Sequence, residues 1–143
     1  MASKNVETVR ASYDSWNRRD FDGIVATLAD SFTYKDYARN ETLNSKQHFR
    51  QWVEAWAKAF PDGKITNVKC IDGGDTVVAQ FTAEGTNDGP FAGLPATGRR
   101  MSAAFCEICQ FDKNGRMTSG GVYYDQYSIL TQLGHAKALG RAA

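Results

Sequence analysis

The chain has 143 residues, 42% of them hydrophobic, which suits a single domain, residues 1–143, able to bury its own core. Lys plus Arg number 17 against 16 for Asp plus Glu, and the aromatics are spread along the chain with no basic stripe between them, so neither nucleic acid nor a membrane is an expected partner. The start, Met-Ala-Ser-Lys-Asn-Val-Glu, is polar, and no stretch approaches the roughly eighteen apolar residues of a membrane span, which points to a cytoplasmic protein.

Val6, Val9, Tyr13 and Trp16 follow helical spacing and predict a helix over residues 5–19. A second helix is expected over residues 21–28 with Asp20 as its cap. Asp30-Ser31 reads as a break, and residues 32–37, Phe-Thr-Tyr-Lys-Asp-Tyr, as a strand. The clearest helix follows. Asn44, with Gln47 three residues on, reads as its capping box, and Phe49, Trp52, Val53, Trp56 and Phe60 form one stripe that ends at Pro61-Asp62-Gly63.

Beyond Pro61 the chain turns strand-like, over residues 65–71, 76–86, 100–111 and 117–127, with Gly- and Asp-rich turns between them. Three helices followed by an antiparallel meander predict an α+β fold, a cone-shaped curved antiparallel sheet with the helices over its concave face. The Ala-rich tail from His135 is expected to fray. The turn Asp112-Lys-Asn-Gly115 suits a type I turn followed by a left-handed glycine, which sets Phe111 opposite Met117. Extended without interruption, this register pairs Glu107 with Gly121, Phe105 with Tyr123 and Ala103 with Asp125 on one face. The opposite face, with Ala104, Cys106, Ile108, Val122 and Tyr124, is apolar enough to predict a homodimer or higher homo-oligomer through the sheet.

Asp125 closes the aromatic run Val122-Tyr-Tyr-Asp125, and a carboxylate placed there must reach water or be buried with a raised pKa. The three cysteines, Cys70, Cys106 and Cys109, form no disulfide framework. Cys106-Glu-Ile-Cys109 has metal-site spacing, but on a strand residues three apart face opposite ways. With His48 and His135 poorly placed as ligands, no metal and no other cofactor is expected.

Together the motifs Phe60-Pro61-Asp62-Gly63, Gly74-Asp75-Thr-Val-Val-Ala, Gly85-Thr-Asn-Asp-Gly89-Pro90-Phe91-Ala-Gly93-Leu94-Pro95-Ala96-Thr97-Gly98-Arg99 and Tyr124-Asp125 leading to Gln132-Leu133-Gly134 resemble the SnoaL-like polyketide cyclases over nearly the whole chain. The resemblance implies the cone fold shared with nuclear transport factor 2, ketosteroid isomerase and scytalone dehydratase. It also implies cofactor-free intramolecular aldol ring closure of a polyketide ester, with one aspartate on the last long strand, here Asp125, as acid/base. The chain departs from the family at Asn87, where many members carry histidine, and at Gly120-Gly121, where they carry histidine or tryptophan.

The expected site therefore has Asp125 as its catalytic group and Tyr13, Tyr34, Asp36, Trp52, Phe105, Glu107 and Tyr123 around a flat, carbonyl-rich small molecule. A second reading makes the protein an isomerase or dehydratase with Asp36 as base and Tyr13 polarising the carbonyl. A third is a non-catalytic binding protein whose carboxylates only orient a ligand, with Asp125 reduced to a helix cap.

Overall fold

The computed structural model describes residues 3–140. Two helices open the chain, α1 (Lys4–Asn17) and α2 (Phe21–Val25), followed by β1 (Leu28–Asp36), β2 (Glu41–Leu43) and α3 (Lys46–Ala59). Strands β3 (Lys64–Asp72), β4 (Thr76–Thr86), β5 (Arg100–Phe111) and β6 (Met117–Tyr124) come next, and α4 (Gln126–Leu133) closes the fold. The six strands form one sheet in the order β2-β1-β6-β5-β4-β3. From β3 to β6 the sheet is the expected antiparallel meander, but β1 joins β6 in parallel.

Several local expectations need correction. Helix α2 stops at Val25, and the strand begins at Leu28, ahead of Asp30 and Ser31, which stay in it as exposed residues. The cap of α3 is Ser45, whose side chain accepts from His48 N; Asn44 is not the cap. A fourth helix follows β6, so the strand expected over residues 117–127 ends at Tyr124. Fraying of the tail concerns in part residues 141–143, which lie outside the described residues, whereas His135 Nε2 lies 3.0 Å from Pro95 O.

Motifs at the loops act as staples. Arg19, in left-handed backbone, donates to the carbonyls of Phe60, Pro61 and Gly63 and so ties α1 to the Phe-Pro-Asp-Gly turn. Asp62 in that turn accepts from Thr86 N and Oγ1. Asn87, fully buried, accepts from Thr97 N and donates to Gly89 O, which braces the loop over residues 87–99 and sets Phe91 against Trp56.

Helix α1 packs on β3 and β4, and α3 on β1. Between these helices and the inner sheet face lies an aromatic core in which Trp56 meets Phe60, Phe91, Phe105 and Tyr124.

Candidate functional site

The inner sheet face is decided by one extra residue. Phe111 pairs with Met117 as the turn requires, and Gly115 has a φ of 77°, yet Gln110 pairs with Ser119, leaving Thr118 unopposed. Beyond this bulge every pair is displaced by one: Glu107 faces Val122, Cys106 faces Tyr123 and Phe105 faces Tyr124. Side chains alternate across a strand, so Val122 and Tyr124 turn inward and Tyr123 turns out. The expected pairs of Glu107 with Gly121, Phe105 with Tyr123 and Ala103 with Asp125 are therefore corrected, as is the assignment of Val122 and Tyr124 to the outer face.

Helices α1 and α3 and the inner face line a cleft with a cavity volume of about 100 Å³. Tyr13 and Trp16 come from α1, Trp52 and Trp56 from α3, and Phe105 and Val122 from the sheet. Lys64 and Glu84, paired across β3 and β4, stand at its edge beside Ser12. The walls are otherwise almost wholly apolar, the composition expected of a small-molecule site.

Glu107 sits on the inner face between Phe105 and Cys109. Its Oε1 accepts from the Tyr13 hydroxyl at 2.7 Å, its Oε2 from the Tyr34 hydroxyl, and the Cys109 thiol lies 3.5 Å away. Burial drives its pKa above the ordinary glutamate value of 4.5, and the three donors oppose that rise. Burial together with the Glu107 charge also pushes both tyrosines and Cys109 upward. Phe105 and Cys109 are closed off, whereas Glu107 between them keeps some accessible surface.

Asp36 forms a separate centre at the end of β1. Wholly buried, it accepts from Trp52 Nε1 at 3.1 Å, Tyr124 Oη at 2.8 Å and Arg39 N at 3.1 Å, with Arg39 Nε 3.9 Å away. The Tyr124 hydroxyl is shifted strongly upward, mainly by burial. Arg39 lies over the faces of Trp56 and Phe91.

The two outliers are Asp125 and Tyr123. Asp125 is exposed, caps α4 and accepts from Ser128 N at 2.9 Å, so its expected place in a buried aromatic pocket is corrected: the strand has ended and the side chain turns to the helix start. Tyr123 stacks on Tyr37 on the outer face, centroids 4.3 Å apart, and is corrected likewise. Tyr13, Trp52 and Phe105 do line the cavity, and Glu107 and Tyr34 join it through the hydrogen bonds from Tyr13 to Glu107 and from Tyr34 to Glu107. Trp56 and Tyr124 are the inward groups that sequence reasoning left in the core or on the wrong face; the strict alternation of β6 past a bulge would have exposed Tyr124.

The small residues of the Gly120-Gly121 pair also find a reason. A Cβ on Gly120 would lie 2.9 Å from the Tyr34 ring, and one on Gly121 2.7 Å from Tyr37, so a tyrosine covers the pair on each face. Cys106 and Cys109 lie on opposite faces, and the described cysteines are free. Among the described residues no three His, Cys, Asp or Glu side chains group as a metal site requires, and no helix is long and apolar enough to cross a membrane.

The fold recurs in solved structures. A protein from Jannaschia assigned as a SnoaL-like polyketide cyclase superposes with a TM-score of 0.84 at 22% identity, covering 93% of each chain. AclR from Streptomyces galilaeus, assigned as a hydroxylase, gives 0.82 at 23% identity over 96% of this chain and 85% of its own. A Catenulispora acidiphila protein with a ketosteroid isomerase-like fold, in complex with trimethylamine, gives 0.77 at 20% over 90% and 92%. No curated protein sequence matches. The family model described as SnoaL-like polyketide cyclase matches residues 6–133, and the chain belongs to that family.

Proposed function

We propose that the protein is a cofactor-free enzyme that closes a ring in a carbonyl-rich, largely apolar small molecule by intramolecular aldol addition, with Glu107 moving the proton. The observation that carries this reading is a carboxyl of raised pKa, bonded to Tyr13 and Tyr34, on the inner sheet face beside an aromatic cavity. A raised pKa makes the carboxylate a stronger base for an acidic carbon between two carbonyls. Its proton leaves that carbon for Glu107, the enolate carbon bonds to a second carbonyl carbon of the same molecule, and the resulting alkoxide takes the proton back. The product is an isomer of the substrate. A cavity of about 100 Å³ suits one small ring, so a larger substrate keeps its remainder near Lys64 and Glu84.

Asp125 fits the acid/base role less well than Glu107, because it faces water and holds α4. Asp36 fits it less well because it is wholly buried with Arg39 beside it, whereas Glu107 keeps some accessible surface. The binding-protein reading keeps one specific support: the same two tyrosines satisfy Glu107 without any substrate. Assembly through the outer sheet face, where Tyr37, Ile71 and Tyr123 are exposed, is proposed alongside, as is a cytoplasmic setting.

The test uses nonane-2,4,8-trione, whose C3 lies between two carbonyls and closes on the C8 ketone to a six-membered ring. Wild-type protein should accelerate closure, and Glu107→Gln should lose about a hundredfold in turnover while still binding the triketone, within the range general acid/base groups supply. Full turnover in that variant overturns the role of Glu107. Binding without acceleration in the wild type favours the binding protein.

A further inference from the structure

Strand β4 turns Ala79, Phe81, Ala83 and Gly85 inward in alternation, and the small residues among them are small for different reasons. Ala79 is wholly buried, with Cys70 and Glu107 paired on either side, so a larger side chain there has nowhere to go. At Gly85 an added Cβ would stand 3.0 Å from Gly63 Cα and 3.1 Å from Phe60 Cβ, so the Phe-Pro-Asp-Gly turn itself fills the space. Ala83 is different. It has strand partners on both sides, Ile65 and Ala103, yet it stays only half-buried, and it lines the cleft. With both strand edges covered and the side chain turned inward, the surface that Ala83 keeps opens on the cleft. Its same-face neighbour Phe81 is stacked on Phe105, with centroids 5.3 Å apart and planes within 9°, so the sheet beside Ala83 presents a fixed aromatic surface and no flexible chain that folds over the gap.

The open space over Ala83 costs the fold the dispersion contacts that a leucine there would make. The walls are almost wholly apolar, so water finds few partners among them, and an apolar occupant gains what the chain forgoes. We infer that Ala83 is the specificity residue that sets the size of the group the cleft accepts, and that this group is the uncharged apolar part of the small molecule, a single ring or a branched alkyl unit. This deepens the reading above and rests on the cleft being the ligand site. The carbonyls are then left for the Tyr13 side, where the wall joins Glu107, the partner of Ala79 further along β4. A methyl at position 83 admits the ring, and each added carbon there takes its place.

The experiment follows fluorobenzene by fluorine NMR, with xenon as a smaller apolar probe. The wild type should bind both. Ala83→Val should weaken fluorobenzene about tenfold, the scale set by a methylene or two in an apolar pocket, and keep xenon, whereas Ala83→Leu should exclude both. Both variants should melt at or above the wild-type temperature, because the added carbons fill open space, while Ala79→Leu on the same strand face should lower Tm by about 5 °C or more through overpacking. Unchanged fluorobenzene binding in both Ala83 variants, or a fall in Tm in Ala83→Leu as large as that in Ala79→Leu, overturns the assignment, and probe binding by the wild type then leaves the cleft reading in place. If the wild type binds neither probe, the assignment and the cleft as ligand site fall together. Neither probe reacts, so the result is independent of the proton transfer assigned to Glu107.

Discussion

The hydroxyl of Tyr13 on α1 lies 2.7 Å from Oε1 of Glu107 on β5, joining residues 94 positions apart. With Tyr34 on the other oxygen, each phenol stabilises the charged carboxylate against the burial that disfavours it. Tyr13→Phe removes one of these donors, so the Glu107 pKa should rise further. In the proposed ring closure the ionised form is the base, and the acidic limb of the rate profile should move up by about one pH unit. A pH–rate series on the wild type and Tyr13→Phe checks this; an unmoved limb would remove Glu107 from the proton transfer.

The same shift predicts a pH-dependent stability. Glu107 titrates above 4.5 in the folded protein, so the folded state holds this proton more tightly than the unfolded chain does. Its contribution is therefore fully present below about pH 4.5, declines as pH rises toward the folded value, and is flat beyond it. Glu107→Gln cannot titrate there. Whichever protein is the more stable, the difference in Tm should move in favour of the variant between about pH 4 and pH 8. Thermal melts across that range would show a constant difference if Glu107 were as free as in an open chain.

Asp125 is an exposed N-cap, and its variants should behave accordingly. Asp125→Ala should cost roughly 1 kcal/mol of stability, whereas Asp125→Asn, which keeps a capping oxygen, should cost only a few tenths. Turnover should be nearly unchanged in both. A hundredfold loss in Asp125→Asn with an unaltered melting temperature would return the acid/base role to this residue.

Much of the fold was legible because its signals are local. The glycine turns delimit β4 and β5, the aromatic stripe delimits α3, and Asp112-Lys-Asn-Gly115 defines the last hairpin. The face of β6 was not legible, because it depends on Thr118 bulging where β1 lies alongside in parallel, a contact between residues distant in sequence. That single residue exchanges Tyr123 for Tyr124 in the site and brings Val122 inside. Glu107 was read on the correct face despite the slip, since Phe105 and Cys109 fix the alternation of β5. Trp56 could not be told from its packing neighbours, as its place in the cavity wall becomes visible only when the surroundings are known.

The corrected register also decides which variants probe assembly. Ile108 and Tyr123 lie on the outer face, while Val122 is buried inside. Ile108→Lys with Tyr123→Lys should therefore dissociate the proposed dimer and leave the fold intact, whereas Val122→Lys should unfold the protein by burying an unpaired charge. Light scattering and melting curves separate the two outcomes. A wild type that is monomeric at micromolar concentration would sink the proposed interface.

Gly120 links the register to the site. It pairs with Cys109 on β5 and with Tyr34 on β1, and the Tyr34 ring crosses over it on the way to Glu107. An added Cβ would stand 2.9 Å from two ring carbons, and the ring is buried, stacked near Phe32 and edge-on to Phe49, with little room to withdraw. Gly120→Ala should therefore cost about 1–3 kcal/mol, the range for overpacking a filled core. Because the ring that must move carries a hydrogen bond to Glu107, the same substitution should disturb the acidic limb of the rate profile. Tyr34→Leu removes the obstructing ring, so adding Gly120→Ala to it should cost markedly less than in the wild type, a coupling expected only of residues in contact. Equal costs in both backgrounds, measured by denaturant unfolding, would mean that Tyr34 does not lie over Gly120 and that its bond to Glu107 is made some other way.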